Sequence, residues 1–213
     1  MIAAVLLLLT APLLLIAALA VRLGGGPVLF RQRRLGRGGV PFCLHKLRTL
    51  AASEGPAVAP TNDLRTTAVG RVLRRWRIDE LPQLVDVLRG RMALVGPRPE
   101  VPDNLVAAPR PQLDLVRTVR PGLTGPTQLR FLAEDDVLAD LPDPARAYRE
   151  VIVPRKVAAD AEWLSRRTLG NDLCVLLRTP FVLVSRRARV RSRAMVRALL
   201  GVEAAVAARR DER

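Results

Sequence analysis

At 213 residues the chain has room for one domain with a sizeable core beside a membrane segment, and too little for a second domain of ordinary size. Its formal net charge of +15 is carried almost wholly by arginine, since Lys46 and Lys156 are the only lysines, and it calls for anionic partners such as lipid headgroups, nucleotide phosphates or nucleic acid. Two cysteines without paired spacing, Cys43 and Cys174, argue against a disulfide-stapled secreted module, and a single histidine, His45, argues against a zinc site.

Met1 to Val21 is apolar except for Thr10 and Pro12, and as a helix it would measure ~31 Å, enough to cross a hydrocarbon core. Pro12 lacks an N–H and crowds the preceding turn, so the run reads either as a kinked single span or as a re-entrant helix that dips in and returns. A cleaved signal peptide is a third reading, carried by Ala18-Leu19-Ala20 but lacking a basic leader. The flank Arg22, Arg31, Arg33, Arg34 and Arg37 keeps the polar remainder of the chain on the cytoplasmic side. Beyond Gly24-Gly25-Gly26-Pro27, Val28 to Gln32 and Val40 to Leu47 read as the strands of a hairpin. Ala51 to Pro60 reads as a loop and Val69 to Arg75 as helical. Leu81, Leu84, Val85 and Leu88 give the clearest helical spacing, with Pro82 in the first turn and Gly90 as the stop. Met92 to Val95 reads as a short buried strand, and the prolines from Pro97 to Pro111 mark an extended segment. Ala145 to Leu169 and Asp172 to Val184 read as helical, before an Arg-rich tail whose Ala194 to Arg210 is helix-compatible. The chain thus divides into a membrane helix (1–22), a catalytic domain (23–184) and a C-terminal tail (185–213).

Asp79 falls at the N-cap of the best-defined helix and Glu80 at its first position, which by itself describes a capped helix with acids complementing its dipole. The pair also reads as chemistry. Adjacent helical positions diverge by about 100°, so one carboxylate can attack phosphorus while the other binds a divalent cation. Arg74, Arg75 and Arg77 would hold both acids ionised. Arg98, in the proline-stiffened turn Gly96-Pro97-Arg98-Pro99, is suited to grip phosphate bidentately.

Five segments in this order resemble the bacterial sugar transferase family, the monotopic phosphoglycosyl transferases that start lipid-linked glycans, in a minimal form. They are the apolar run with its central proline; Gly26 to Gln32 leading to Lys46-Leu47-Arg48; Leu73-Arg74-Arg75 with Asp79 to Leu84; Leu94 to Glu100; and Arg120 to Gly125. The resemblance implies an α+β fold: a re-entrant, Pro-broken membrane helix, then a small mixed domain with a short hairpin and amphipathic interfacial helices. It implies that Asp79 takes a sugar-phosphate from a UDP-sugar with release of UMP, and that a polyprenyl phosphate then accepts it. It further implies that Glu80 and Asp172 bind Mg²⁺ and that Lys46, Arg48 and Arg98 hold phosphate. The domain would work on the cytoplasmic face of a bacterial inner membrane, in contact with membrane lipid, without nucleic acid, and in an oligomeric state left open, a homodimer included. The chain departs from the family in Ala11, where a serine commonly precedes the proline, in Asp86 for a common asparagine and in Ala93 for a common serine. The competing class is a membrane-tethered basic protein that grips nucleic acid or anionic lipid; against it stand 3% aromatic residues and no nucleic-acid module.

Overall fold

The computed structural model describes residues 1–51 and 62–211, the last ten of these as backbone. Most of the loop expected over Ala51 to Pro60 therefore lies outside the described residues. The expected mixture of helix and strand is observed, with helices dominant and two small two-stranded sheets.

Helix α1 (Ile2–Leu23) is one continuous element that carries Pro12 inside it, so the break expected at the proline is absent. The ring removes a single N–H, and the Thr10 hydroxyl donates back to Leu6 O at 2.7 Å within the preceding turn. At 22 residues α1 is long and apolar enough to cross a membrane. Its C-terminal half does something else as well: Leu14, Ala17 and Val21 pack with Leu47, Leu73 and Ile78 of the domain. Leu8, Leu9, Leu15, Ile16 and Leu19 stay exposed on the other faces.

Strands β1 (Leu29–Leu35) and β2 (Pro41–Leu47) form the expected antiparallel hairpin, in register from Leu29 opposite Leu47 to Leu35 opposite Pro41. β1 runs past Gln32, and the left-handed Gly38 and Gly39 turn the chain. Next come α2 (Ala68–Arg75), capped by Thr67 accepting from Gly70 N at 2.9 Å, and α3 (Gln83–Leu88). Strand β3 (Ala93–Val95) pairs in parallel with β4 (Gly122–Thr124), a contact that two three-residue strands leave no periodicity to announce. Gly96 and Gly122 permit it. A Cβ on Gly96 would stand 2.7 Å from Arg120 O, and one on Gly122 would strike the Gly96 backbone, so only glycines let the two chains close. The proline-rich segment is not extended throughout, since Pro102–Leu105 makes a 3-10 turn and α4 (Arg110–Arg117) takes Pro111 into its first turn.

The remaining helices are α5 (Pro126–Arg130), α6 (Glu134–Leu138), α7 (Pro144–Ala147), α8 (Val153–Ser165), α9 (Leu169–Val184) and α10 (Arg186–Asp211). The helix expected from Ala145 is split: a π-turn at Tyr148–Ile152 joins α7 to α8 and carries the buried Tyr148 and Ile152. These join Leu105, Leu113, Phe131, Leu138, Val153 and Val157 in the main core. Val196 of α10, fully buried, belongs to the same core. The Arg-rich segment expected as a tail is thus docked into the domain through its first half.

Candidate active site

Helix α2 ends at Trp76, and Arg77 takes the left-handed conformation (φ 56°), the only described non-glycine residue to do so. The Arg77 N–H donates to Arg74 O at 3.2 Å, and the chain turns at once into a 3-10 turn, Ile78–Glu80. Asp79 is therefore not the N-cap of α3, as its position in the sequence predicts; both carboxylates ride on a tight turn between two helices, and both are buried. A left-handed arginine costs on the order of 1 kcal/mol, a strain found where a turn must aim side chains. Here it swings Arg77 back onto Glu80.

Glu80 is the hub. Its Oε1 accepts from Lys46 Nζ at 3.0 Å, from Arg77 Nη1 at 3.3 Å and from Arg98 Nη2 at 3.3 Å. The hairpin, the α2–α3 turn and the loop after β3 thus converge on one oxygen. Burial works against the Glu80 charge, but Lys46, Arg98 and Arg77 outweigh it and hold the carboxyl well below its ordinary range. Asp79 behaves oppositely. Burial, reinforced by the Glu80 charge, pushes it up to about 6, and its Oδ1 is buried with no partner among the described residues. The neighbouring cations act unequally on the two acids: Lys46, Arg77 and Arg98 pair with Glu80, and Asp79 is left as the carboxylate with spare capacity. The site is a cleft of about 1580 Å³ lined by Phe30, Lys46 and Arg48 of the hairpin, by Arg77, Asp79, Glu80 and Arg98, and by Leu183, Val184, Arg186, Arg189 and Arg193.

Arg98 is held from behind by charged groups that the sequence motifs leave unassigned. Leu35 N donates to Glu100 O at 3.1 Å and Arg34 Nη1 to Pro99 O at 3.2 Å, so β1 pins the backbone beyond Arg98. Glu100 accepts from the Tyr148 hydroxyl at 2.7 Å, and Lys156 sits between Tyr148 and Glu134, paired with the latter. Burial opposes the Glu100 charge, yet Lys156 and Arg34 keep that carboxyl below its usual value. Deeper still, Thr127 donates to Asp160, whose buried carboxyl is pushed up to about 7. Only Glu100, inside the Leu94 to Glu100 segment, leaves a trace in the sequence; Tyr148, Lys156 and Glu134 reach the site through helix packing.

Of the remaining sequence-predicted residues, Arg48 lines the cleft, and its Nη2 donates to Gly25 O, tying the glycine linker after α1 to the end of β2. Asp172 does not join the others. It lies in the first turn of α9, clamped by Arg167 at 2.8 Å, whose guanidinium also donates to Val95 O at 3.1 Å, and it does not line the cleft. Its carboxylate braces α9 to β3. No group of three His, Cys, Asp or Glu with metal-holding geometry occurs among the described residues. A hard divalent cation such as Mg²⁺ still suits the donor set, because it is satisfied by one or two carboxylates plus substrate phosphates and water, and Asp79 presents an unpartnered oxygen beside Glu80.

Similarity to known proteins agrees with this geometry. A family model described as bacterial sugar transferase matches residues 1–186. A UDP-glucose:undecaprenyl-phosphate glucose-1-phosphate transferase of Caulobacter vibrioides is 45% identical, over 83% of this chain and 64% of the relative. A protein of the same name from Escherichia coli K12 is 35% identical, over 84% of this chain and 38% of the relative. The exopolysaccharide production protein ExoY of Rhizobium meliloti is 35% identical, over 86% of this chain and 83% of the relative. The chain thus spans less than two thirds of the first two relatives and most of the third. With the family match running from α1 through Lys46, Asp79, Glu80 and Arg98 to residue 186, the chain belongs to the bacterial sugar transferase family.

Proposed function

We propose that this chain transfers a sugar-1-phosphate from a UDP-sugar to a polyprenyl phosphate in two displacements, at the cytoplasmic face of a bacterial inner membrane, as the first step of a lipid-linked glycan of the exopolysaccharide type. The observation that carries the proposal is the unequal fate of adjacent carboxylates: Glu80 gathers three cations, while Asp79 keeps a buried, unpartnered oxygen in a cleft rich in arginine. A diphosphate repels an incoming carboxylate, so its charge has to be spread over cations before attack is feasible. Lys46 and Arg98, fixed by Glu80, are placed to do this, with Arg48 at the hairpin edge.

Asp79 then attacks the phosphorus that bears the sugar. Its carboxylate oxygen forms a bond to that phosphorus, the bond to the bridging oxygen breaks, and UMP leaves with that oxygen. In the second displacement an oxygen of the polyprenyl phosphate attacks the same phosphorus, and Asp79 departs as a free carboxylate. The Asp79–Glu80 pair, together with the diphosphate, would hold Mg²⁺, which would supply further charge neutralisation. Asp79 must be ionised to attack, and with its carboxyl near 6 it is ionised at neutral pH.

Helix α1 brings the site to the lipid. Its packing against Leu47, Leu73 and Ile78 sets it directly behind Lys46 and Asp79. Ala17 and Val21 are buried against the domain, which holds the C-terminal part of α1 at its surface and supports a helix that enters the bilayer from the cytoplasmic side without crossing. The test of the activity is the nucleotide by-product. Purified protein with Mg²⁺, a panel of UDP-sugars and polyprenyl phosphate should release UMP; release of UDP would identify a glycosyltransferase, and release of neither from any donor would reduce the protein to a binding role.

A further inference from the structure

The cleft has a second cationic region that the donor chemistry leaves unused. It is a wall formed by the start of α10, where Arg186, Arg189 and Arg193 line the cavity together with Trp76. Arg189 and Arg193 lie beyond the end of the family match. This wall is fixed in place: Val196 is in the core, Ser192 Oγ accepts from Ala133 N at 3.1 Å, and Arg193 holds Asp136 at 2.7 Å. Arg189 reaches the same Asp136 oxygen only at 3.9 Å and instead donates to Arg75 O at 3.3 Å. Arg193 is thus the nearer partner of Asp136. Burial lowers the Arg189 pKa, Asp136 counters it, and Arg77, Arg75 and Arg193 add repulsion. An anion placed there would relieve the crowding.

An apolar approach leads to this region. Leu169, Leu173, Leu177, Phe181 and Val184 of α9 are exposed at intervals of four, four, four and three, a single helix face, and the face ends at Ser185, next to Arg186. Trp76 and Val72, both exposed, lie at the cleft as well. Apolar surface ending in arginines is complementary to an amphiphile with a phosphate head and a long hydrocarbon tail. A nucleotide sugar has no such tail.

We infer that Arg186 and Arg189, beside Arg75 and Trp76, form a docking site for the phosphate head of the polyprenyl acceptor, separate from the Lys46 and Arg98 region that takes the donor. The inference rests on the acceptor chemistry proposed above and deepens it, because it gives the acceptor its own cationic wall from α10.

The test uses the full chain in nanodiscs, in a Trp163→Phe background so that Trp76 is the sole tryptophan reporter. A short-chain polyprenyl phosphate should change its fluorescence saturably, while the matching polyprenyl alcohol, inorganic phosphate and UMP should each fail to do so at the same concentration. Arg186→Gln with Arg189→Gln should weaken the lipid phosphate by about tenfold or more and raise the acceptor KM equally. Release of UMP in the absence of acceptor should stay within about twofold of wild type, and Arg189→Lys, which keeps the charge, should recover part of the affinity. The inference is overturned if the double variant binds polyprenyl phosphate like wild type, if the alcohol binds as well as the phosphate, or if acceptor-free UMP release falls in step with the acceptor KM. If phosphate-selective binding appears as described but no UDP-sugar yields UMP, the docking site stands and the transferase reading fails. The converse pattern, UMP turnover with binding indifferent to both arginines, sinks the docking site alone.

Discussion

Neutralising Asp79 and neutralising Glu80 should move stability in opposite directions, although the two are adjacent in sequence and both buried. For Asp79 the folded-state value of about 6 lies above the ordinary 3.8, so the folded protein holds this proton more tightly than the unfolded chain does. Stability is therefore lost as pH rises from about 4 through 6, on the order of 3 kcal/mol once the group is ionised on both sides of the equilibrium. Asp79→Asn removes that cost. At pH 8 the variant should be more stable than wild type by about this amount, roughly 6–12 °C in Tm for a chain of this size, and the difference should vanish near pH 4. Glu80→Gln does the reverse, because it leaves Lys46, Arg77 and Arg98 crowded around a neutral amide. Breaking a buried pair by removing one partner costs about 3–5 kcal/mol, so its Tm should fall by a comparable interval. Thermal melts followed by circular dichroism in one detergent, at pH 4, 6 and 8, give all three proteins side by side. If Asp79→Asn melts at or below wild type at pH 8, Asp79 is not the uncompensated carboxylate and the division of roles between the two acids is wrong.

The rate of acceptor-independent UMP release should climb with pH and level off above about 6, since Asp79 must be ionised to attack; a rate independent of pH between 5 and 8 would remove Asp79 as the attacking group. Arg98→Ala should slow this step by roughly 30-fold, corresponding to about 2 kcal/mol of lost charge-assisted hydrogen bonding, and an effect below about threefold would place Arg98 outside the phosphate site. Ile2→Cys, with Cys43 and Cys174 replaced by serine, should resist a membrane-impermeant thiol reagent applied outside intact spheroplasts; labelling from outside would show α1 crossing the bilayer.

The parts of the site legible in the sequence are those carried by local pattern. The hairpin, α2, α3 and β3 come from apolar periodicity and glycine or proline stops, and Lys46, Glu80 and Arg98, from three of the segments that resemble the family, meet in the fold. The hidden parts depend on tertiary contact. The N-cap reading of Asp79 fails because Arg77 adopts a conformation that no propensity assigns to arginine. The parallel pairing of β3 with β4 rests on a close approach of two glycines, which a sequence shows only as two glycines. Asp172 is expected at the metal because its motif is shared, whereas Arg167, five residues earlier, neutralises it within the fold. The buried chain of Glu100, Tyr148, Lys156 and Glu134 spans more than fifty residues and meets only because α6 and α8 pack in one core. By composition α10 is a solvated basic tail, yet Val196 and Ser192 are buried on one of its faces.

The most direct test of the two-step mechanism is intact-protein mass spectrometry of the enzyme given Mg²⁺ and a UDP-sugar on which turnover has been demonstrated, with no lipid acceptor present. The mechanism predicts a sugar-phosphate adduct on wild type, about one equivalent of UMP released per enzyme, discharge of the adduct when polyprenyl phosphate is added, and no adduct on Asp79→Asn. UMP release that strictly requires the lipid, with no adduct at any time, would contradict it and leave Asp79 and Glu80 to serve a single direct transfer.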